Sequence, residues 1–121
     1  MLFVVAGGTG TVGTRVVQRA RRRGHDVRVI SRRGGVDVVV GSGVADAMAG
    51  ADAVIDVLGI PTLSARRATE FFERSTANLL SAEQAVGVGH HLALSIVGVD
   101  RAPFGYYGAK LAQEQAVQAG A

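Results

Sequence analysis

Cysteine is absent from the 121 residues, which removes disulfides, thiolate metal sites and cysteine nucleophiles together. No apolar run approaches the ~20 residues of a membrane span. No cationic region precedes the apolar N-terminal run, so a secretory signal is not expected. These absences suggest a reducing cytoplasm and argue against a membrane partner. Charged residues make up only 19% of the chain and hydrophobic ones 48%, a balance that excludes a disordered polypeptide. One domain spanning 1–121, with one core, is what the length allows. The neighbouring His90 and His91 lack a third ligand, so no metal site is expected.

What charge there is lies unevenly. The net charge is +3, and Arg15, Arg19, Arg21, Arg22, Arg23, Arg28, Arg32 and Arg33 crowd the first third. A nucleic-acid surface is one reading of such a cluster. However, Arg15, Arg19 and Arg22 recur at helical spacing opposite the valines, as on a solvated helix face, and no aromatic residues interleave with them to stack bases. Nucleic acid is therefore not the favoured partner.

Gly7-Gly8-Thr9-Gly10-Thr11-Val12-Gly13 organises the chain. It follows the strand-like run Leu2–Ala6 and opens a segment with Val12, Val16, Val17 and Ala20 at helical spacing. Gly8, Gly10 and Gly13 fit G-x-G-x-x-G, and Gly7, Gly10 and Gly13 fit G-x-x-G-x-x-G. A strand, a glycine turn and a helix N-terminus together form a pyrophosphate cradle: the backbone approaches closely, and the first helical turn offers free N–H groups at a positive dipole end. The plainer alternative is a turn that merely joins strand to helix.

The first helix is expected from Thr11 to about Arg23, ending at Gly24. A second strand, Val27–Ile30, leads into Ser31-Arg32-Arg33. An NAD-binding fold places an acidic residue near here on the ribose 2′-OH. Two guanidiniums stand here instead, and their forks suit the 2′-phosphate of NADP, unless the loop is simply basic. The valine run 36–40 reads as a third strand buried on both faces. The short stretch 41–50 can hold only a stunted helix. Ala53–Leu58 reads as the fourth strand, in which Asp56 is either a hydrogen-bonded strand-end carboxylate or a catalytic one.

The Gly59-Ile60-Pro61-Thr62 loop stands where ligands sit in such sheets, and Leu58, Ile60 and Phe104 suggest an apolar pocket. A helix is expected from about Ser64 to Ala85, with Phe71 and Phe72 in its apolar stripe. The fifth strand, Leu92–Val97, carries Ser95. A last helix opens with Tyr106-Tyr107-Gly108-Ala109-Lys110. Tyr106 and Lys110, four apart, share a helix face, and a neighbouring cation lowers a phenol's pKa and fits it for proton transfer near neutrality.

Together these residues resemble the short-chain dehydrogenase/reductase superfamily, and most of all its atypical, NmrA-like branch. The resemblance implies that Gly7, Gly10 and Gly13, with Thr9, Thr11 and Val12, hold the pyrophosphate and that Arg32 and Arg33 favour NADP(H) over NAD(H). It makes Tyr106 the general acid, Lys110 the residue on the nicotinamide ribose, and Ser95 the counterpart of a substrate-polarising serine. Leu58 and Gly59 fall on the cofactor side of the loop. Asn78 stands where many members have an asparagine in a proton relay. Ser42 replaces an aspartate that usually contacts the adenine.

The fold so implied is a Rossmann-type α/β domain with three layers and a parallel five-stranded sheet, order 3-2-1-4-5. Family members continue well past this length, so the C-terminal substrate region is expected to be missing. The fifth strand should then present an open edge through which a homo-oligomer could form. Two functions stay open: an NADP(H)-dependent oxidoreductase acting on a small-molecule substrate, and an NADP(H)-binding sensor without turnover.

Overall fold

The computed structural model describes residues 1–60, 64–94 and 105–120, with backbone alone for 105–109 and 120. Four parallel strands form the sheet: β1 (Leu2–Ala6), β2 (Asp26–Ile30), β3 (Ala53–Asp56) and β4 (His90–Ala93), in the order β2-β1-β3-β4. The register sets Val5 beside Val29 and Ile55, and Ala6 beside Ile30 and Asp56, so the strands' carboxyl ends lie level along one rim.

Alternation along β1 sends side chains to opposite faces. On one face α1 (Thr11–Arg22) lays its buried Val17 and Ala20 against β1 and β2. It stops where Gly24 takes the left-handed conformation (φ +84°) and His25 N–H donates to the Ala20 carbonyl at 3.1 Å. On the other face Val4, Ala6 and Val54 meet Val44 and Met48 of α2 (Val44–Met48) and Leu79 and Ala82 of α3 (Ala65–Val86).

The long helix α3 begins where the Ser64 hydroxyl accepts from Arg67 N–H at 3.3 Å, and it ends at Gly87 (φ +77°). Its buried stripe, with Ala68, Phe72, Leu79 and Ala82, keeps helical period, and full burial of Phe72 and Leu79 contributes about 1.5–3 kcal/mol each. The last helix, α4 (Gly105–Gly120), packs on α3 and touches β4.

The expected five-stranded sheet is corrected to four strands among the described residues, because 36–40 is irregular chain ending in a turn at 38–40. Two physical causes account for this. Only the five residues 31–35 separate Ile30 from Val36, whereas a parallel neighbour of β2 needs a return of a dozen or more. The segment's polar groups are also committed locally. Val36 N–H donates to the Ser31 carbonyl, Val39 N–H to the Asp37 carboxylate at 3.0 Å, and Gly41 N–H to the Asp37 carbonyl. The valines still serve the core: Val38 is buried and Val36 packs beside it. The fourth expected strand ends early, at Asp56. The fifth begins early, at His90, and its second half, Ser95–Val97, lies outside the described residues, as do Pro61, Thr62 and Phe104. Among the described residues β4 pairs on one side only, and Leu92 and Leu94 are exposed. No helix of the described residues is long and apolar enough to cross a membrane.

Candidate functional site

At the carboxyl rim, β1 runs into the glycine turn. Gly7 (φ +87°) donates its N–H to the Ile30 carbonyl at 3.1 Å, tying the turn to the end of β2. Gly10 N–H closes back on the Gly7 carbonyl, also at 3.1 Å, and the Gly10 carbonyl accepts from Thr14 N–H as α1 starts. No side chain caps α1, and no acidic residue stands in its first turn. The N–H groups and the positive end of the helix dipole are left for a ligand.

The glycines divide the work. A Cβ on Gly13 would meet the Gly7 carbonyl oxygen at 2.0 Å, so Gly13 lets the helix sit on the turn. A Cβ on Gly10 would find no protein atom closer than that same oxygen at 3.5 Å. Gly10 is exposed and faces open space, and its bare backbone lets a ligand approach closely.

That space is a cleft of about 500 Å³. Gly7, Thr9 and Gly10 line it from the turn, and Ile30, Ser31 and Arg32 from the end of β2. Residues 36–39 form the far wall, and Val57, Leu58, Gly59 and Ile60 with Phe71 form the wall after β3. Apolar walls with a few converging polar groups are the usual make-up of a small-molecule site. Asp37, a carboxylate that the valine run concealed within an expected strand, is one of those polar groups. The far wall is held from behind by Asn78, whose amide nitrogen donates to the Val38 carbonyl at 2.7 Å and the Val39 carbonyl at 3.0 Å. Asn78, expected in a proton relay, spends both amide hydrogens on this loop.

The other expected site residues are distributed as follows. Thr11 and Val12 are exposed in the first turn of α1, and Gly13 is buried there. Arg33 is exposed beside Arg32, and Ser42 is exposed between two left-handed glycines, Gly41 and Gly43. Neither is among the cleft-lining residues. Tyr106 lies in the first turn of α4, its side chain outside the described part, and Ser95 is outside it entirely.

Lys110 is 4% exposed and does not line the cleft. Its ammonium donates to Gln113 Oε1 and lies 4.4 Å from the centre of the Phe72 ring. Gln113 Nε2 donates in turn to Asp56 Oδ2 at 3.0 Å, and Asp56 Oδ1 accepts from Leu58 N–H at 3.0 Å. A hydrogen-bonded line thus runs from α4 to the cleft wall. Asp56 is therefore a hydrogen-bonded strand-end carboxylate. Burial pushes it above the ordinary carboxylate value, against the Leu58 N–H and the charges of His91 and Lys110, with Gln113 last. Burial likewise pulls Lys110 below the usual lysine range, opposed by Asp56 and then Glu114. The sequence held one unused signal: Lys110 is the sole lysine among 13 basic residues.

A family model, that of the NAD dependent epimerase/dehydratase family, matches residues 3–120. The chain is similar to the mouse epimerase family protein SDR39U1, at 37% identity over 76 residues that cover 61% of this chain and 26% of that protein. Its fold matches a short-chain dehydrogenase/reductase superfamily protein from Agrobacterium tumefaciens with bound NAD (TM-score 0.80, 23% identity, 97% of this chain and 44% of that one). It also matches UDP-N-acetylglucosamine 4-epimerase from Bacillus cereus (TM-score 0.79, 20% identity, 95% and 47%). The chain thus spans about a quarter of the curated relative and under half of each solved structure.

Proposed function

Because the chain belongs to the NAD dependent epimerase/dehydratase family, we propose that it binds NADP(H) in the cleft at the carboxyl rim and serves an oxidoreductase of the atypical short-chain type. The observation that carries this reading is the open space over Gly10, bounded by the uncapped start of α1 and by Arg32. A pyrophosphate placed there accepts hydrogen bonds from the first-turn N–H groups of Thr11, Val12 and Gly13. Arg32, with Arg33 beside it, favours the dianionic 2′-phosphate of NADP(H) over the neutral hydroxyl of NAD(H). Val38 and Val39 offer a wall for the adenosine, and Leu58 and Gly59 close the side toward the nicotinamide. The family's aspartate near Ser42 has a substitute in Asp37, a carboxylate on the same wall.

The bound dinucleotide supplies the hydride, which passes to or from a carbonyl or alkene carbon of a small organic substrate. Tyr106, one turn before Lys110 on α4, gives or takes the proton, and the Lys110 charge favours the phenolate. Ser95 is assigned to polarising the substrate oxygen. NADPH oxidation followed at 340 nm over a panel of aldehydes, ketones and nucleotide sugars tests this. Turnover that falls about a hundredfold or more in Tyr106→Phe supports it.

A second reading, an NADP(H) sensor without turnover, is favoured by one observation. The Lys110 ammonium is engaged by Gln113 and Phe72 and does not line the cleft. If Tyr106→Phe preserves biological activity while Gly10→Val and Arg32→Ala abolish it, binding rather than catalysis is the function.

A further inference from the structure

Lys110, Gln113 and Asp56 are each at most 4% exposed, and they come from two elements far apart in the chain, α4 and the end of β3. An ammonium can only donate and a carboxylate only accept, so a single orientation of the Gln113 amide satisfies both neighbours. Its oxygen accepts a hydrogen bond from the Lys110 ammonium while its nitrogen donates to Asp56 at 3.0 Å. Both bonds polarise the amide in the same sense, so each strengthens the other in a medium of low dielectric. The second carboxylate oxygen is fixed by Leu58 N–H at 3.0 Å, and Leu58 lines the cleft.

We propose that Asp56 and Gln113 are positioning residues for Lys110. The Gln113 amide carries the Asp56 charge to the ammonium and seats the sole lysine behind the cleft wall, in a place nearly closed to solvent. This rests on the reading that Lys110 serves the dinucleotide site. The remaining charged groups nearby fit the assignment. Glu114 on α4 adds to the attraction on Lys110. His91 of β4 is bound to Glu83 of α3 at 2.6 Å, so its ring is held by another carboxylate. Phe72 turns its ring face to the ammonium, the side of the quadrupole that attracts a cation.

With a single lysine, the full chain labelled biosynthetically with ¹³C,¹⁵N-lysine gives one Cε signal, and its pH titration reads Lys110 directly. Asp56→Asn keeps an oxygen that can accept from Gln113 but removes the negative charge, and in Gln113→Met the link is cut while volume is kept. Each should lower the Lys110 titration midpoint by about one unit or more. The double variant Asp56→Asn/Gln113→Glu moves the carboxylate one step along the link and should restore most of the midpoint, which a merely structural lesion would not. If Asp56→Asn does not fold, Gln113→Met alone decides. Single-variant midpoints within about 0.3 unit of wild type, or a double variant no better than Asp56→Asn, overturn the proposal. NADPH binding is followed by fluorescence on the same samples. Midpoints that respond as expected in a chain that does not bind NADPH leave the link standing and remove the oxidoreductase reading.

Discussion

Gly13 sits so close to Gly7 that a Cβ on Gly13 would lie 2.0 Å from the Gly7 carbonyl oxygen, whereas one on Gly10 would lie 3.5 Å from the same atom. One oxygen thus separates a glycine needed for packing from a glycine needed for access. Gly13→Ala should force the turn and α1 apart and cost about 3 kcal/mol, read as a large fall in Tm. Gly10→Ala should stay within about 1 kcal/mol of wild type. A Gly13→Ala protein as stable as wild type would contradict this division.

Arg32 lines the cleft and its neighbour Arg33 does not. Arg32→Ala should weaken NADPH by about tenfold or more while leaving NADH within about twofold, as expected when a charge-assisted phosphate contact is removed. Arg33→Ala should cost less. Equal losses for both cofactors in Arg32→Ala would place the arginine elsewhere than at the 2′-phosphate.

Asn78 holds the far wall through two bonds from one nitrogen, to the Val38 and Val39 carbonyls. Asn78→Asp is nearly isosteric but brings no N–H to them, so it should be as harmful as Asn78→Ala, at about 1–3 kcal/mol. Faster hydrogen exchange at Val39 and Gly41 and weaker NADPH binding should accompany the loss. An aspartate variant that behaves as wild type would show that the loop holds itself.

Burial raises the Asp56 pKa above its ordinary 3.8. A carboxyl so raised keeps its proton to higher pH in the folded chain than in the unfolded one. Its contribution to stability is therefore complete below about pH 3.8 and is lost as pH rises through the folded value. Urea unfolding across that window should show wild type losing stability relative to Asp56→Asn as pH increases. A constant difference between the two would contradict the assignment.

Much of this architecture was legible because its signals are local. The run Leu2–Ala6, the glycine turn and the stop at Gly24 each act within a few residues, and the observed β1 and α1 follow them closely. Ser64 and Gly87 likewise frame α3. The valine run 36–40 misled because β propensity describes a half-buried surface and says nothing of whether the chain can return to pair. The five-residue approach from Ile30 was the clue that counted. The line from Lys110 through Gln113 to Asp56 joins residues up to 57 apart in sequence, and no spacing rule reaches that far. Asp37 entered the cleft only because the expected strand became irregular chain.

The most direct test of the account is a calorimetric titration of the chain with NADPH, beside Gly10→Val. Wild type should show saturable one-to-one binding. Gly10→Val should keep the melting profile and lose that binding, because the new side chain fills the space above the turn. Undiminished binding in a folded Gly10→Val chain, or none in wild type, would contradict the claim that this cleft is a dinucleotide site.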